Sequence, residues 1–137
     1  MSGEFESFYS GCPEIAEAET RNILNLNNPN FPKGQYLLLE NYCIDKKCDC
    51  RKVMINFIKE NKIFATICYG WEDLKYYEKF IGDKELAKYM FGASLELGGQ
   101  QSEYAKYFLA FFKDVILKDK FYVDRLKKHY KLFKGIK

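Results

Sequence analysis

Along the chain, the spacing of apolar positions changes once, near Trp71. Before that point the runs are short and β-like. "QYLLLENYC" (35–43) is an apolar run bounded by turn residues, as a buried strand would be. "KVMINFIKE" (52–60) and "KIFATICYG" (62–70) are rich in β-branched and aromatic residues. Glu60-Asn61 lies between them as a tight hairpin. "ETRNILNL" (19–26) alternates weakly about Ile23 and is followed by the Asn, Pro and Gly of "NNPNFPKG" (27–34). The pattern predicts an antiparallel meander of three or four strands.

After Trp71 the spacing becomes helical. "WEDLKYYEKFIG" (71–82) aligns Leu74, Tyr77 and Ile81 on one face and ends on Gly82, a C-cap residue. "DKELAKYMFG" (83–92) opens on Asp83 as N-cap and closes on Gly92. "ASLELGGQQ" (93–101) reads as a loop. "SEYAKYFLAFFKDVIL" (102–117) sets Tyr104, Phe108, Phe111, Phe112 and Val115 at helical spacing behind Ser102 as cap. In "KFYVDRLKKHYKLFKG" (120–135), Tyr122, Leu126, His129, Tyr130 and Phe133 share one half of the wheel. Lys120, Asp124, Lys127, Lys131 and Lys134 share the other. The expected fold is α+β: the small sheet first, then three or four helices packed on it, in a single domain over residues 1–137.

Composition fits that reading. With 47% hydrophobic and 30% charged residues in 137, the chain suits one globular core. The 11 Tyr and 12 Phe are too many to leave exposed. The start of the chain lacks the basic, apolar pattern of a signal peptide, and no window is apolar enough to span a membrane. The expectation is a cytoplasmic protein. Net charge is only +3, yet residues 1–19 carry five Glu and no Lys or Arg, while 118–137 carry seven Lys and one Arg against two Asp.

The chemistry concentrates in "YCIDKKCDCRKV" (42–53), with three of the five cysteines within eight residues. In a reducing compartment clustered thiols hold metal more often than they form disulfides. Zinc takes four ligands in a tetrahedron, with Zn–S near ~2.3 Å. Cys48 and Cys50 are i and i+2, on one side of an extended segment, and "IDKK" is long enough to bring Cys43 back to them. Lys46, Lys47, Arg51 and Lys52 supply counter-charge and favour thiolates. The bland alternatives are three reduced cysteines in a loop or a redox pair. An iron–sulfur cluster fits a chain with five cysteines less well than zinc does. For the fourth ligand, pairing 19–26 with 35–42 sets residue 43 opposite about residue 18, with Cys12 just beyond. Cys12 is therefore the first candidate and His129, the only His, the alternative. Cys68, in an apolar strand, reads as a buried thiol, and water or Asp completes the alternatives.

The sequence resembles a family of uncharacterised prokaryotic proteins regarded as metal-binding. The resemblance rests on "YC" with "CDCR" at 42–51, "YGWE" at 69–72, "QSEYA" at 101–105 and "YVDRLKKHY" with "FK" at 122–134. It covers most of the chain after about residue 34. It implies that the C-terminal "RLKKHY" helix, His129 included, matters to the family, and it brings no reaction with it. The C-x-C also resembles the SEC-C zinc module, but that module needs a later His-Cys or Cys-Cys pair, which this chain lacks.

These readings lead to a structural zinc site of Cys43, Cys48, Cys50 and Cys12 in an interaction or regulatory module with an unidentified protein partner. The alternatives are a metal-dependent, hydrolase-like enzyme with an open zinc position, or nucleic-acid binding through Lys120, Lys127, Lys131 and Lys134. Cysteine-rich sites favour structure over catalysis. "GASLELGGQQS" carries no phosphate-loop pattern. Gln100, Gln101 and Ser102 read as helix capping rather than an anion site.

Overall fold

The computed structural model describes residues 4–135. These form one six-stranded antiparallel sheet and six α-helices, so the α+β class holds and the sheet is larger than a three- or four-strand meander. The meander is its centre: β2 (Arg21–Asn25), β3 (Gly34–Cys43), β4 (Lys52–Lys59) and β5 (Lys62–Gly70) run consecutively. Lys59 pairs with Lys62, so Glu60-Asn61 is a two-residue turn. Both turn residues adopt the left-handed conformation such a hairpin requires, at φ 51° and 64°.

The two added strands lie at the edges. β1 (Phe5–Ser7) pairs with the end of β3, Phe5 opposite Cys43, while β2 pairs with its beginning, Arg21 opposite Leu38. Two short strands thus share one edge of β3. Between them run α1 (Phe8–Gly11) and α2 (Pro13–Glu19), which take the chain off the sheet. The expected continuous pairing past residue 19 does not occur. At the other edge β6 (Gly92–Leu95), expected as loop, pairs with the end of β5. Beyond it, the Gln101 side chain takes over. Its amide oxygen accepts from the Thr66 N–H at 3.0 Å and its amide nitrogen donates to the Thr66 carbonyl at 2.9 Å. Ser102 donates to the Phe64 carbonyl and accepts from the Tyr104 N–H. "QQS" thus caps both a strand edge and the approach to a helix.

Strand alternation sends Tyr36, Leu38, Val53, Ile55, Phe57, Ala65 and Ile67 to one buried face. α5 (Ala105–Asp114) covers one half of it with Phe108 and Phe112. A 3-10 turn (Ile116–Lys118) leads to α6 (Lys120–Lys134), which covers the other half. Asp119 caps α6 at its start, and Gly135, at φ 72°, closes it. α3 (Leu74–Ile81) and α4 (Lys84–Met90) pack at the end of β5 with a small cluster of their own around Tyr77, Ala87 and Met90. Gly70 permits this: a Cβ there would lie 2.1 Å from the Met90 carbonyl and 2.6 Å from the Tyr77 hydroxyl. No helix among the described residues is long and apolar enough to cross a membrane.

Candidate metal centre

Cys43 ends β3, Cys48 sits in the following loop, and Cys50 lies two residues before β4. The structure brings all three together: their sulfur atoms lie within 4.8 Å of one another. They are buried, at 1%, 8% and 3% exposure, and none is in a disulfide. Three close, buried thiols can hold a metal ion.

Local geometry makes the cluster. The Asp45 side chain accepts from the Lys47 N–H at 2.9 Å and its carbonyl from the Cys48 N–H at 3.0 Å, a tight turn that returns the chain towards Cys43. The loop carbonyls are then taken by side chains from two helices. Lys134 of α6 donates to those of Asp45 (2.6 Å) and Cys48 (2.5 Å). From α3, Tyr76 donates to the Asp49 carbonyl (2.5 Å) and Tyr77 to that of Arg51 (2.8 Å). Arg51 has a left-handed backbone, φ 51°, uncommon for a residue with a side chain. Its N–H donates to the Tyr130 hydroxyl at 3.2 Å, and its carbonyl also accepts from the Trp71 N–H. The loop is therefore preorganised by α3 and α6.

The expected counter-charge is arranged differently. The Arg51 guanidinium is engaged by Asp49 and Glu72, at 2.9 and 3.1 Å. Lys52 acts on Cys68, on the opposite face of the sheet. Lys46 and Lys47 are exposed. The cation that meets the cluster is Lys134, 6% exposed, which sequence alone assigned to the solvent half of α6. It follows Tyr130 by one turn, at the border of the buried face, and its chain bends onto the loop. Burial is the main influence on the Cys48 and Cys50 thiols. It pushes Cys50 up to about 12, with help from the neighbouring sulfurs. Burial and Cys43 raise Cys48, while Cys50 and Lys134 pull it back. A metal binding here displaces protons from Cys48 and Cys50, rather than meeting ready thiolates at those positions.

Neither candidate fourth ligand joins the group of close ligand atoms. Cys12 lies at the junction of α1 and α2, packed on the edge of the core, because β1 rather than residues near 18 pairs with the end of β3. His129 is fully buried elsewhere on α6, with both ring nitrogens occupied. Nδ1 is 2.7 Å from Glu40 and Nε2 is 2.7 Å from Glu19. Phe8 stacks on the ring at 4.3 Å. A neutral imidazole donates from one nitrogen only, so two carboxylates select the doubly protonated ring. Burial opposes that charge, but hydrogen bonds and charge from Glu40 and Glu19 outweigh it and raise the His129 pKa. Tyr42 adds a hydrogen bond to Glu40 at 2.7 Å. Sequence reasoning missed this network, although Glu40 shares strand parity with Tyr36, Leu38 and Tyr42.

The lysine stripe also divides. Lys120 and Lys131 are exposed, Lys127 is half-buried, and Lys134 is buried against the cysteine loop. The acidic first segment meets α6 through Glu19, at His129 rather than at the stripe. Comparisons of the chain with family models, curated proteins and solved structures give no match.

Proposed function

We propose that Cys43, Cys48 and Cys50 hold a structural zinc ion, and that the protein is an interaction or regulatory module whose cysteine loop is fixed by that ion. The observation that carries this reading is three buried sulfurs within 4.8 Å in a loop already held by α3 and α6. Thiolate donors match zinc, and a site held in shape before binding loses little entropy on loading. Elemental analysis of the purified protein is expected to find about one zinc per chain. Chelation is expected to lower stability by about 3–4 kcal/mol when free metal exceeds Kd by 100- to 1,000-fold. Cys48→Ser should lack the metal and lose its response to chelator. A folded Cys48→Ser that retains zinc would refute the site.

A second reading, a metal-dependent hydrolase with an open position, draws on one feature. A recess of about 260 Å³ beside Cys43 is lined by Glu6, Ser10 and Lys46. Tetrahedral zinc with three thiolates leaves a fourth position that an oxygen ligand can take. X-ray absorption separates the readings: four sulfurs around the ion exclude the enzyme, while three sulfurs and an exchangeable oxygen support it.

A further inference from the structure

Beside the cysteine loop lies a cleft of about 330 Å³, between α6 and the turn after β5. One wall is aromatic: Trp71 and Tyr130 meet edge to face, with centroids 5.1 Å apart at 87°. The floor is Arg51, in its left-handed backbone conformation. Its guanidinium stacks 4.6 Å above Tyr76 and is paired with Asp49 and Glu72. Uncommon backbone conformations that a fold over-determines cluster at functional sites. The rim carries Lys127 and Lys131, one helical turn apart and therefore on one face. Among the described residues neither ammonium group forms an ion pair or a hydrogen bond. Arg51 bridges both carboxylates but offsets only one of their two charges, so with the two ammonium groups the lining carries a net charge of +1, and Lys127 and Lys131 are its cations outside any ion pair.

We infer that this cleft binds a small anion joined to a planar ring, with its phosphate between Lys127 and Lys131 and its ring against Trp71. A free mononucleotide has this chemistry, and its size suits the space. A lysine pair takes a phosphate by charge-assisted hydrogen bonds, and indole is a sequence-tolerant platform for a base. An extended nucleic-acid strand fits less well. Lys134 is buried beneath the loop, and Lys120 lies at the far end of α6, roughly 20 Å from the C-terminal turn at 1.5 Å per residue. The inference stands on the cleft's own residues and does not rest on the metal reading.

Trp71 is the only tryptophan in the chain, so its fluorescence and indole N–H resonance report on the cleft alone. Metal content and both signals are measured while full-length protein is titrated with adenosine monophosphate, adenosine or inorganic phosphate at low salt. The nucleotide is expected to shift Trp71 saturably, with adenosine and phosphate each at least about tenfold weaker. Lys127→Ala with Lys131→Ala should weaken the nucleotide about tenfold or more and leave the melting temperature unchanged, since neither lysine has a partner to lose. No saturable shift up to ~10 mM nucleotide would overturn the inference, as would equal affinity in the double variant. A short single-stranded oligonucleotide binding more than about tenfold tighter than the mononucleotide would also overturn it, in favour of an extended surface. Nucleotide binding by protein found to contain no metal would support the cleft while sinking the zinc reading.

Discussion

Helix α6 carries two buried polar centres five residues apart, and they are built on opposite principles. At His129 every valence of the ring is met: one carboxylate on each nitrogen, a phenylalanine on its face, no exposure. At Lys134 the helix holds a loop whose three sulfurs face one another with no fourth protein ligand atom in their group among the described residues. The first pairs both ring nitrogens, although Oε2 of its buried Glu40 has no hydrogen-bond partner among the described residues. The second has its backbone satisfied and its side chains unsatisfied, the arrangement expected of a place that receives something. Both centres are buried, so what distinguishes them is that the imidazole nitrogens are paired with carboxylates while the three sulfurs face only one another.

The largest effect expected from breaking this contrast is at the closed centre. His129→Ala leaves Glu40, whose carboxylate is 1% exposed, without its partner. Removing one member of a buried ion pair costs about 3–5 kcal/mol. Urea unfolding should show that loss while metal content per folded chain stays unchanged. A folded variant that loses its metal would instead make His129 a ligand. At the open centre, Lys134→Met removes two hydrogen bonds from a charged donor and leaves two buried carbonyls. A cost of about 2 kcal/mol is expected, accompanied by weaker metal binding in a competition with a chromophoric chelator. Unchanged metal affinity would show that the loop does not depend on α6 for its shape.

A smaller effect follows from pH. The folded His129 pKa is raised, so the stability it contributes is complete below its unfolded value near ~6.5 and is lost as pH rises through the folded value. Glu19 is lowered, chiefly by its hydrogen bond to His129, so its share is present above the ordinary carboxylate range and is lost as pH falls. The urea midpoint should be highest between about pH 5 and 6.5 and decline from there towards about pH 7.5, where free thiols are still mostly protonated. His129→Ala should flatten that decline; an equal slope in both proteins would assign it to other groups. The smallest effect is Glu19→Gln, under about 1 kcal/mol, since this carboxylate is one-third exposed and screened by solvent.

Much of this was legible in the sequence, and the misses have physical causes. The hairpin at Glu60-Asn61, the caps at Gly82 and Asp83, and the amphipathic face of α6 follow from local patterns, and the structure keeps them. The cysteine triad was legible because its three members are close in sequence. α1 and α2 were not, because helices of four and seven residues are too short for a period to register. They move Cys12 away from the position that strand register suggests. β6 is four residues long and opens on a glycine, so it reads as loop. Glu40 and His129 were each visible as an ionisable residue on an apolar face. The chain separates them by 89 residues, and only tertiary packing makes them partners.

The amide of Gln101 has a consequence for how this molecule meets others. A sheet ending in unpaired N–H and C=O groups invites a strand from another chain and, through it, association. Here β6 occupies the far part of that border. Past it, one glutamine side chain fills both backbone groups of Thr66, while Ser102 fills the carbonyl of Phe64. Strand addition at this border must first displace them. Self-assembly is resisted there by two polar side chains together with the backbone N–H groups of Glu96 and Ser102, which bond the same Thr66 and Phe64 carbonyls.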